Sequence, residues 1–342
     1  MTASRTVSRT ASAPRKVVYD TDPGVDDAMA LYYALAHPGI DVLGITTTFG
    51  NVTVAQAATN ALYLCALAQR TLPVTMGASR PWVKPGEAPP AHIHGADGLG
   101  NLPQRAPHAL VLDPRPSAQF IVDMARAHPG EITLVAVGPL GNLAAALLLE
   151  PQLPQLVQEV IIMGGTVLEP GNVSPVAEAN VWNDPHAADI VFNAGWKLTM
   201  VGLDVTHRLI LPVSLFARIA AHHQHPATDT LLHAVNFYAG FYSDLYPHVA
   251  AIHGCFGHDV LAFIYLSNPE LFTLEHGRVR VVTDGLAQGQ TVLRRKTIPY
   301  PQAGWDPQTP ASAVCMQVDH VGAADVFTRT MLGNWLRSTN PA

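Results

Sequence analysis

Two hydrophobic patterns alternate along the chain after residue 16. Short runs of apolar, often β-branched residues predict strands, and segments with apolar residues three and four apart predict helices. The strand-like runs lie at 16–19, 42–47, 74–76, 132–137, 160–163 and 198–201. The helix-like segments lie at 26–36, 54–69, 117–127, 140–149 and 185–193. Apolar strands separated by helices predict one α/β domain, with an open, mainly parallel, Rossmann-like sheet and helices on both faces.

The start of the chain does not share this pattern. Residues 1–16 are rich in Ser and basic residues, contain no acid and lack the apolar stretch of a secretory signal. We interpret residues 1–15 as a disordered tail and residues 16–342 as the folded domain. A transit peptide has a similar Arg- and Ser-rich composition, so a targeting function for the tail stays open.

The composition of the 342 residues narrows the function classes. Hydrophobic residues make up 48% of the chain, which is enough for a large core. The 20 Lys and Arg against 26 Asp and Glu give a net charge of −6, which disfavours nucleic acid or an anionic membrane as partner. The most apolar window, 132–149, is interrupted by Gly and Pro, so we do not interpret it as a membrane span. The 3 cysteines are widely spaced, which favours a reducing, cytoplasmic location.

Carboxylates are unusually dense directly after the first predicted strand. Segment 20–27 (DTDPGVDD) holds 4 Asp residues, although only 13% of the chain is charged. Asp26 and Asp27 suit the first turn of the following helix, but that explanation leaves Asp20 and Asp22 without a role. Neighbouring carboxylates repel each other unless a cation lies between them, and ligands that are all oxygen favour Ca²⁺ or Mg²⁺. Because ligands bind at the carboxyl ends of parallel strands, we predict a divalent cation site here.

Segment 20–27 also resembles the amino-terminal signature of the inosine–uridine-preferring nucleoside hydrolase family. Further segments resemble motifs of that family in the same order: 45–51 (ITTTFGN), 137–142 (VGPLGN), 162–165 (IMGG), 171–172 (GN), 177–180 (AEAN), 183–185 (NDP), 202–206 (GLDVT) and 258–259 (HD). The resemblance covers about residues 16–335. His258 beside Asp259 is similar to the branch of the family that has His at this position.

The resemblance implies one Ca²⁺ per chain at the carboxyl edge of the sheet. Carried over residue by residue, the protein ligands would be the side chains of Asp22, Asp27 and Asp259 and the main-chain carbonyl of Val137. The ribose 2′- and 3′-hydroxyls and a water would complete the coordination. Such a shell suits Ca²⁺, which takes about six to eight oxygens in a flexible arrangement.

The resemblance also implies a reaction, the hydrolysis of the N-glycosidic bond of an inosine- or uridine-type ribonucleoside to ribose and free base. Asp22 would take a proton from the attacking water on the cation, and Asn51 would orient that water. The transition state would resemble an oxocarbenium ion, and His258 would be the general acid for the departing base. The residues implied to bind the ribose are Asp26, Asn51, Asn172, Glu178 and Asn180.

Sequence defines the base end of the site less sharply. Tyr242 and Tyr246 are four residues apart, so they share one face of a predicted helix. Their spacing from His258 matches positions that border the base in the family. The other aromatic residues of segment 237–246 make it equally typical of ordinary core, so both interpretations stay open.

Two further candidates for contact with the nucleoside are His94 and Met163. His94 lies in segment 82–108, a loop rich in Pro, Gly and His that is long enough to act as a lid. Met163 ends a predicted strand and would pack under the ribose or remain in the core. We interpret His207, which follows segment 202–206, as structural.

Two alternative functions stay open. An Asp-x-Asp segment after an apolar strand is also typical of phosphatases that form an aspartyl phosphate, in which Asp20 would be the nucleophile and Mg²⁺ the cofactor. That alternative gives Glu178 and Asn180 no role. A nucleoside-binding protein without turnover would keep the same fold. We expect a homodimer or homotetramer, whereas the sequence indicates neither the subunit number nor the preferred base.

Overall fold

The computed structural model describes residues 13–296, 298–302, 304–305 and 311–336. Most of the predicted tail, residues 1–12, lies outside the described residues. The first strand begins at Arg15, whose backbone N–H donates to the carbonyl of Gly39 at 2.8 Å and whose guanidinium contacts Glu159. Arg15, which we placed in the tail from sequence, is therefore part of this strand.

Strands and helices alternate along most of the described chain. The strands are β1 (Arg15–Thr21), β2 (Ile40–Thr47), β3 (Val74–Met76), β4 (Ile132–Ala136), β5 (Glu159–Met163), β6 (Leu198–Val201), β7 (Ile210–Pro212), β8 (Gly254–Phe256), β9 (Phe272–Gly277), β10 (Val279–Val281), β11 (Thr291–Leu293) and β12 (Ser312–Val318). The helices are α1 (Val25–Ala36), α2 (Val54–Leu67), α3 (Ala91–His94), α4 (Ser117–Ala127), α5 (Gly141–Leu149), α6 (Leu153–Leu156), α7 (Ala179–Asn183), α8 (Pro185–Phe192), α9 (Leu203–Thr206), α10 (Val213–His223), α11 (Pro226–Leu245), α12 (Pro247–Ala250), α13 (Val260–Ser267) and α14 (His320–Met331), with a short 3₁₀ helix at Pro269–Leu271.

Eight strands form one central sheet, in the order β3-β2-β1-β4-β5-β6-β12-β9. Neighbouring strands are parallel except for the edge strand β9, which is antiparallel to β12. The prediction of an open, mainly parallel α/β sheet is confirmed. The strand order runs outwards in opposite directions from β1 and β4, and this kind of switch point opens a crevice at the carboxyl edge of a sheet.

Both faces of the sheet are buried under helices. Successive residues of a strand point to opposite faces, so each strand contributes to the core on both sides. In β1, Val17 and Tyr19 pack into one hydrophobic cluster and Val18 packs into the other. Helices α1, α2, α11, α13 and α14 contribute to the first cluster, and α4, α5 and α8 contribute to the second. The strands are apolar throughout for this reason, as the sequence pattern indicates.

The elements predicted from sequence begin and end within two residues of the observed ones. The carboxyl-terminal part of the chain holds more structure than we predicted, including the edge strand β9 and two antiparallel pairs, β7 with β8 and β10 with β11. Each strand of these pairs has only three residues, which is too short for a recognisable hydrophobic period. Within the described residues, no helix has the length and apolarity needed to cross a membrane.

Candidate active site

Asp22 lies just past the carboxyl end of β1, in the middle of the sheet, and is completely buried. Two glycines pack around its carboxylate, since a Cβ at Gly50 or Gly138 would clash with it. Gly50 also has a φ of +152°, a conformation that L side chains rarely adopt. The backbone N–H of Asn51 donates to Asp22 Oδ2 at 2.6 Å, whereas Oδ1 has no hydrogen-bond partner among the described residues.

Asp27, in the first turn of α1, accepts hydrogen bonds at both carboxylate oxygens. Oδ1 accepts from the hydroxyl of Thr21 and from the backbone N–H of Asp22. Oδ2 accepts from the backbone N–H of Gly24 and from the side-chain amide of Asn51, both at 2.9 Å. Asn51 therefore bridges Asp22 and Asp27 and fixes the orientation of both carboxylates.

Four buried carboxyl groups meet at this edge of the sheet. Carboxylate oxygens of Asp26, Asp27 and Asp259 lie within 4.8 Å of one another. Within the described chain, Oδ1 of Asp22, Oδ1 of Asp26 and Oδ2 of Asp259 are buried without a hydrogen-bond partner. Burial raises the pKa of all four groups, and repulsion from Asp27 raises the pKa of Asp26 further, to about 8. Buried, unpartnered acidic oxygens of this kind fit a hard divalent cation.

Val137 directly follows β4, and its carbonyl accepts the side-chain amide of Asn180 at 2.8 Å. A carbonyl oxygen has two lone pairs, so this hydrogen bond leaves one available for a cation. The same Asn180 amide lies 3.2 Å from the carbonyl of Met163, at the end of β5. Asn180 thus joins the carboxyl ends of two neighbouring strands.

Glu178 is the amino-terminal cap of α7 and is buried. Its Oε1 accepts the backbone N–H of Asn180 at 2.8 Å, and its Oε2 accepts that of Gly165, also at 2.8 Å. Burial raises the pKa of this carboxyl, while these N–H groups oppose the rise. Asn172 is tied to the same turn, because its Oδ1 accepts the backbone N–H of Ala179 at 3.0 Å.

These groups surround a cavity of about 710 Å³ at the carboxyl edge of the sheet. All the site residues predicted from sequence line it, except Asp22 and Asp27. The predicted residues in the lining are Asp26, Asn51, His94, Val137, Met163, Asn172, Glu178, Asn180, Tyr242, Tyr246, His258 and Asp259. Asp22 and Asp27 do not reach the lining, but both are hydrogen-bonded to Asn51, which does.

Buried hydroxyl groups hold the ring of His258, which lines the cavity next to Asp259. Its Nδ1 lies 2.8 Å from the hydroxyl of Thr206, and its Nε2 lies 3.0 Å from the hydroxyl of Tyr242. The Tyr242 hydroxyl in turn lies 3.1 Å from that of Tyr238. Burial and the neighbouring imidazole of His207 lower the pKa of His258 well below its usual range, so the ring is neutral near pH 7.

Comparison with known proteins identifies the family of a chain that has this cavity beside a cluster of buried acids. Residues 17–325 match the family model described as inosine-uridine preferring nucleoside hydrolase. The chain belongs to this family. The family predicted from the sequence motifs is therefore confirmed. The predicted site residues of this nucleoside hydrolase lie together at the carboxyl edge of its sheet.

Relatives of this nucleoside hydrolase match over most of their length. The "Probable uridine nucleosidase 2" of Arabidopsis thaliana is 37% identical over 307 residues, which cover 89% of this chain and 94% of that protein. The "Inosine-uridine preferring nucleoside hydrolase" of Leishmania major is 38% identical over 283 residues, covering 82% and 88% respectively. A solved plant nucleoside hydrolase has a TM-score of 0.86 and 33% identity, with 94% of this chain and 100% of that chain covered.

The lining residues of this nucleoside hydrolase that were not predicted as such include Tyr238, Phe241 and His207. Tyr238 is four residues before Tyr242 and lies on the same face of α11, which is a spacing signal that sequence contained. Phe241 borders the same cavity. Our interpretation of His207 as merely structural is incomplete, because its side chain lies at the cavity wall.

His94, in α3, lies between Asp26 of the acidic cluster and the aromatic ring of Tyr238. Its Nδ1 accepts the backbone N–H of Val25 at 3.2 Å, and its ring stacks on Tyr238 with the ring centroids 5.1 Å apart. Burial lowers the pKa of His94 to about 3. The ring is therefore neutral at pH 7, and because Nδ1 is an acceptor, its proton is on Nε2.

Proposed function

We propose that this protein hydrolyses the N-glycosidic bond of inosine- or uridine-type ribonucleosides, with one bound Ca²⁺, and releases ribose and the free base. The observation that carries the proposal is the cavity itself. Its inner end adjoins four buried carboxyl groups, three of which have an oxygen without a partner among the described residues, and its wall holds the hydroxyl-binding groups of Glu178 and Asn180. The names of the relatives refer to uridine and inosine, which supports the same substrate class.

We assign the cation to the side chains of Asp22, Asp27 and Asp259 and the carbonyl of Val137. When bound, Ca²⁺ supplies positive charge that neutralises these carboxylates, orients the vicinal ribose hydroxyls and makes a water easier to deprotonate. The absence of thiolate and imidazole from this set disfavours zinc. Asp26 is close enough to share the charge, since one of its carboxylate oxygens lies within 4.8 Å of one on Asp27 and one on Asp259.

Asp22 is the base in this proposal. Its Oδ2 is held by the backbone N–H of Asn51, and its buried Oδ1 has no partner among the described residues, so Oδ1 is available to accept a proton from water. The glycines at 50 and 138 pack closely against the carboxylate, since a Cβ at either position would clash with it. Such a fixed base needs no reorganisation when the water attacks.

The ribose is bound by polar groups whose own positions are fixed. Asn180 is anchored by the carbonyls of Val137 and Met163, and Glu178 by backbone N–H groups. Together with Asp26, Asn51 and Asn172 they provide donors and acceptors for the sugar hydroxyls. The negative charge around the ring also stabilises the positive charge that develops on the sugar in an oxocarbenium-like transition state.

His258 is the proton donor to the departing base in this proposal. The neutral ring gives the proton of one nitrogen to the base and takes up another at its second nitrogen, where the hydroxyl of Thr206 or Tyr242 can relay it, so that the ring is neutral before and after the step. The hydroxyls of Thr206 and Tyr242 hold both ring nitrogens, so the ring cannot turn without losing a hydrogen bond. The faces of Tyr242 and Tyr246 provide an apolar wall for the base.

Thr206→Val tests the positioning of His258. The change keeps the buried volume but removes the hydroxyl beside Nδ1, so we expect kcat for inosine to fall by about 10-fold. Hydrolysis of p-nitrophenyl riboside should be unchanged, because nitrophenolate leaves without a proton. Thr199→Val is the matched control, since Thr199 is also buried but bonds to Tyr265, away from the cavity. Equal losses on both substrates would contradict the positioning role.

The aspartyl-phosphate alternative is disfavoured by the position of Asp20. Its Oδ1 accepts hydrogen bonds from Thr46 and from the side-chain amide of Asn142. That alternative also gives no role to Glu178 and Asn180, which line the cavity. A nucleoside-binding protein without turnover shares the whole geometry, so only an activity measurement separates it from a hydrolase.

The deciding experiment measures ribose release from inosine, guanosine, xanthosine, adenosine, uridine and cytidine. Each is assayed with Ca²⁺, with EDTA and with EDTA followed by excess Ca²⁺. We expect release in Ca²⁺, at least about a 100-fold loss in EDTA, and recovery on adding Ca²⁺ back. Binding of a nucleoside without any ribose release would identify a binding protein instead, and release that EDTA does not affect would contradict the metal assignment.

We further propose a homodimer or homotetramer and a cytoplasmic location. Met76, Trp82 and Val83 expose large apolar surfaces around one shallow groove, which supports burial against another subunit. All three cysteines are free and buried, which fits a reducing compartment. Light scattering of the purified protein gives the subunit number.

A further inference from the structure

His207 borders the cavity next to the proposed acid, but the mechanism above gives it no role. Its ring packs on Phe256 with the centroids 4.9 Å apart, and its centroid lies 5.6 Å from that of His258 and 6.1 Å from that of Tyr246. His258 and Tyr246 line the cavity together with His207, and Phe256 packs behind the His207 ring. His207 therefore lies beside the two residues to which we assign the nucleobase, His258 and Tyr246.

Glu169 determines which nitrogen of His207 carries the proton. Nδ1 of His207 lies 3.3 Å from Oε1 of Glu169. An ionised carboxylate can only accept a hydrogen bond, so Nδ1 must be the protonated nitrogen. Burial lowers the pKa of His207, which keeps the ring neutral near pH 7. Its Nε2 is then a hydrogen-bond acceptor, and it has no partner among the residues that the structure describes.

Glu169 is itself held in place by the loop that carries it. Its backbone N–H donates to Asp204 Oδ1 at 3.1 Å, and its carbonyl accepts the hydroxyl of Thr166 at 2.6 Å. The carboxylate of Asp204 also accepts the N–H groups of the two residues before Glu169, at 2.8 and 2.7 Å. This anchoring keeps the Glu169 side chain beside His207, so the tautomer is fixed before a substrate binds.

We propose that His207, positioned by Glu169, makes this site select nucleobases that present a ring N–H, the lactam bases hypoxanthine, guanine, xanthine and uracil. This inference rests on the proposed hydrolase function and deepens it. Adenine and cytosine present an unprotonated ring nitrogen at the corresponding position, which leaves two acceptors facing each other. A site built around a fixed acceptor rejects such a base because both groups lose their hydrogen bonds to water.

The test compares two pairs of substrates that differ at one exocyclic group, inosine with adenosine and uridine with cytidine. For the unmodified protein with Ca²⁺, we expect kcat/KM to be at least about 10-fold higher for the lactam member of each pair. His207→Phe keeps a ring on Phe256 but removes the nitrogen, so both ratios should fall towards one. Hydrolysis of p-nitrophenyl riboside, which has no base to recognise, should stay within about 2-fold.

Glu169→Gln tests the positioning role without touching the cavity wall. An amide can accept from or donate to Nδ1, so it stabilises either tautomer, and we expect both ratios to fall at least about 3-fold. Arg208→Ala is the matched control, because Arg208 pairs with the other Glu169 oxygen at 3.3 Å and its side chain is 61% exposed. It should leave the ratios unchanged.

Three results would overturn the inference. They are equal kcat/KM values within both pairs for the unmodified protein, ratios that survive both His207→Phe and Glu169→Gln, and a loss of p-nitrophenyl riboside hydrolysis in His207→Phe as large as the loss on inosine. Each of these results can occur while the hydrolase proposal holds. A failure of the hydrolase proposal would have a different result, the absence of ribose release from every nucleoside.

Discussion

Replacing Asp22 by Asn is expected to lower kcat for ribonucleoside hydrolysis by about 10²–10⁴-fold, the usual contribution of a positioned general base. The amide has the size of the carboxylate, so it fits between the glycines at 50 and 138, and its oxygen can still accept the N–H of Asn51. It cannot take a proton from water. Ribose release from inosine at saturating Ca²⁺ measures the effect, and circular dichroism checks that the fold is kept.

Asp20→Asn is the matched control, because it makes the same change two residues away. Burial raises the pKa of Asp20 to about 7, so this carboxyl is already partly protonated near neutrality and an amide is a close substitute. The hydrogen bonds from Thr46 and Asn142 to its Oδ1 can be kept. We expect hydrolysis within a few-fold of the unmodified protein. Loss of turnover in Asp20→Asn with retention in Asp22→Asn would instead favour the aspartyl-phosphate alternative.

The inner end of the site was predictable because its residues come from contiguous segments that follow strands. Asp22 and Asp27 lie on the two sides of one turn. Met163 is the last residue of β5, and Val137 directly follows the neighbouring parallel strand β4. Once the strands are recognised, their carboxyl ends must meet at one edge of the sheet. Chemistry then separates these residues from ordinary turn residues, since buried acids need a partner.

The base end could not be predicted to the same depth. Tyr238 and Phe241 belong to a helix that carries aromatic residues on several faces, so its periodicity does not distinguish a core face from a cavity wall. His207 reaches the cavity because α9 ends beside β8 and α11, which are far apart in sequence. A tertiary contact of this kind leaves no local pattern. The tautomer of His207 depends on Glu169 in yet another loop.

Removal of Ca²⁺ is expected to destabilise the protein, and increasingly so as the pH rises. Without a cation, burial holds the pKa of Asp22, Asp26 and Asp259 above the usual value, to about 8 for Asp26. An Asp carboxyl has a pKa of about 4 in the unfolded chain, and the raised pKa of Asp26 in the folded protein is about 8. Between these two pH values the folded state therefore binds more protons than the unfolded state. By linkage, the free energy of unfolding of the metal-free protein then falls as the pH increases.

Bound Ca²⁺ reverses this trend, because it stabilises the ionised carboxylates of the folded state. At about 100 times the dissociation constant it adds about 2.7 kcal/mol, which for a chain of 342 residues corresponds to a rise in Tm of about 4 °C. We expect thermal melts with Ca²⁺ and with EDTA to differ by this amount at pH 8 and by much less at pH 5. Asp259→Asn should abolish the Ca²⁺-induced rise and also raise the Tm of the metal-free protein at pH 8, since it removes one of the buried carboxyl groups that repel each other when ionised. A gap between the two melts that is the same at both pH values would mean that the buried acids are not the groups that the cation neutralises.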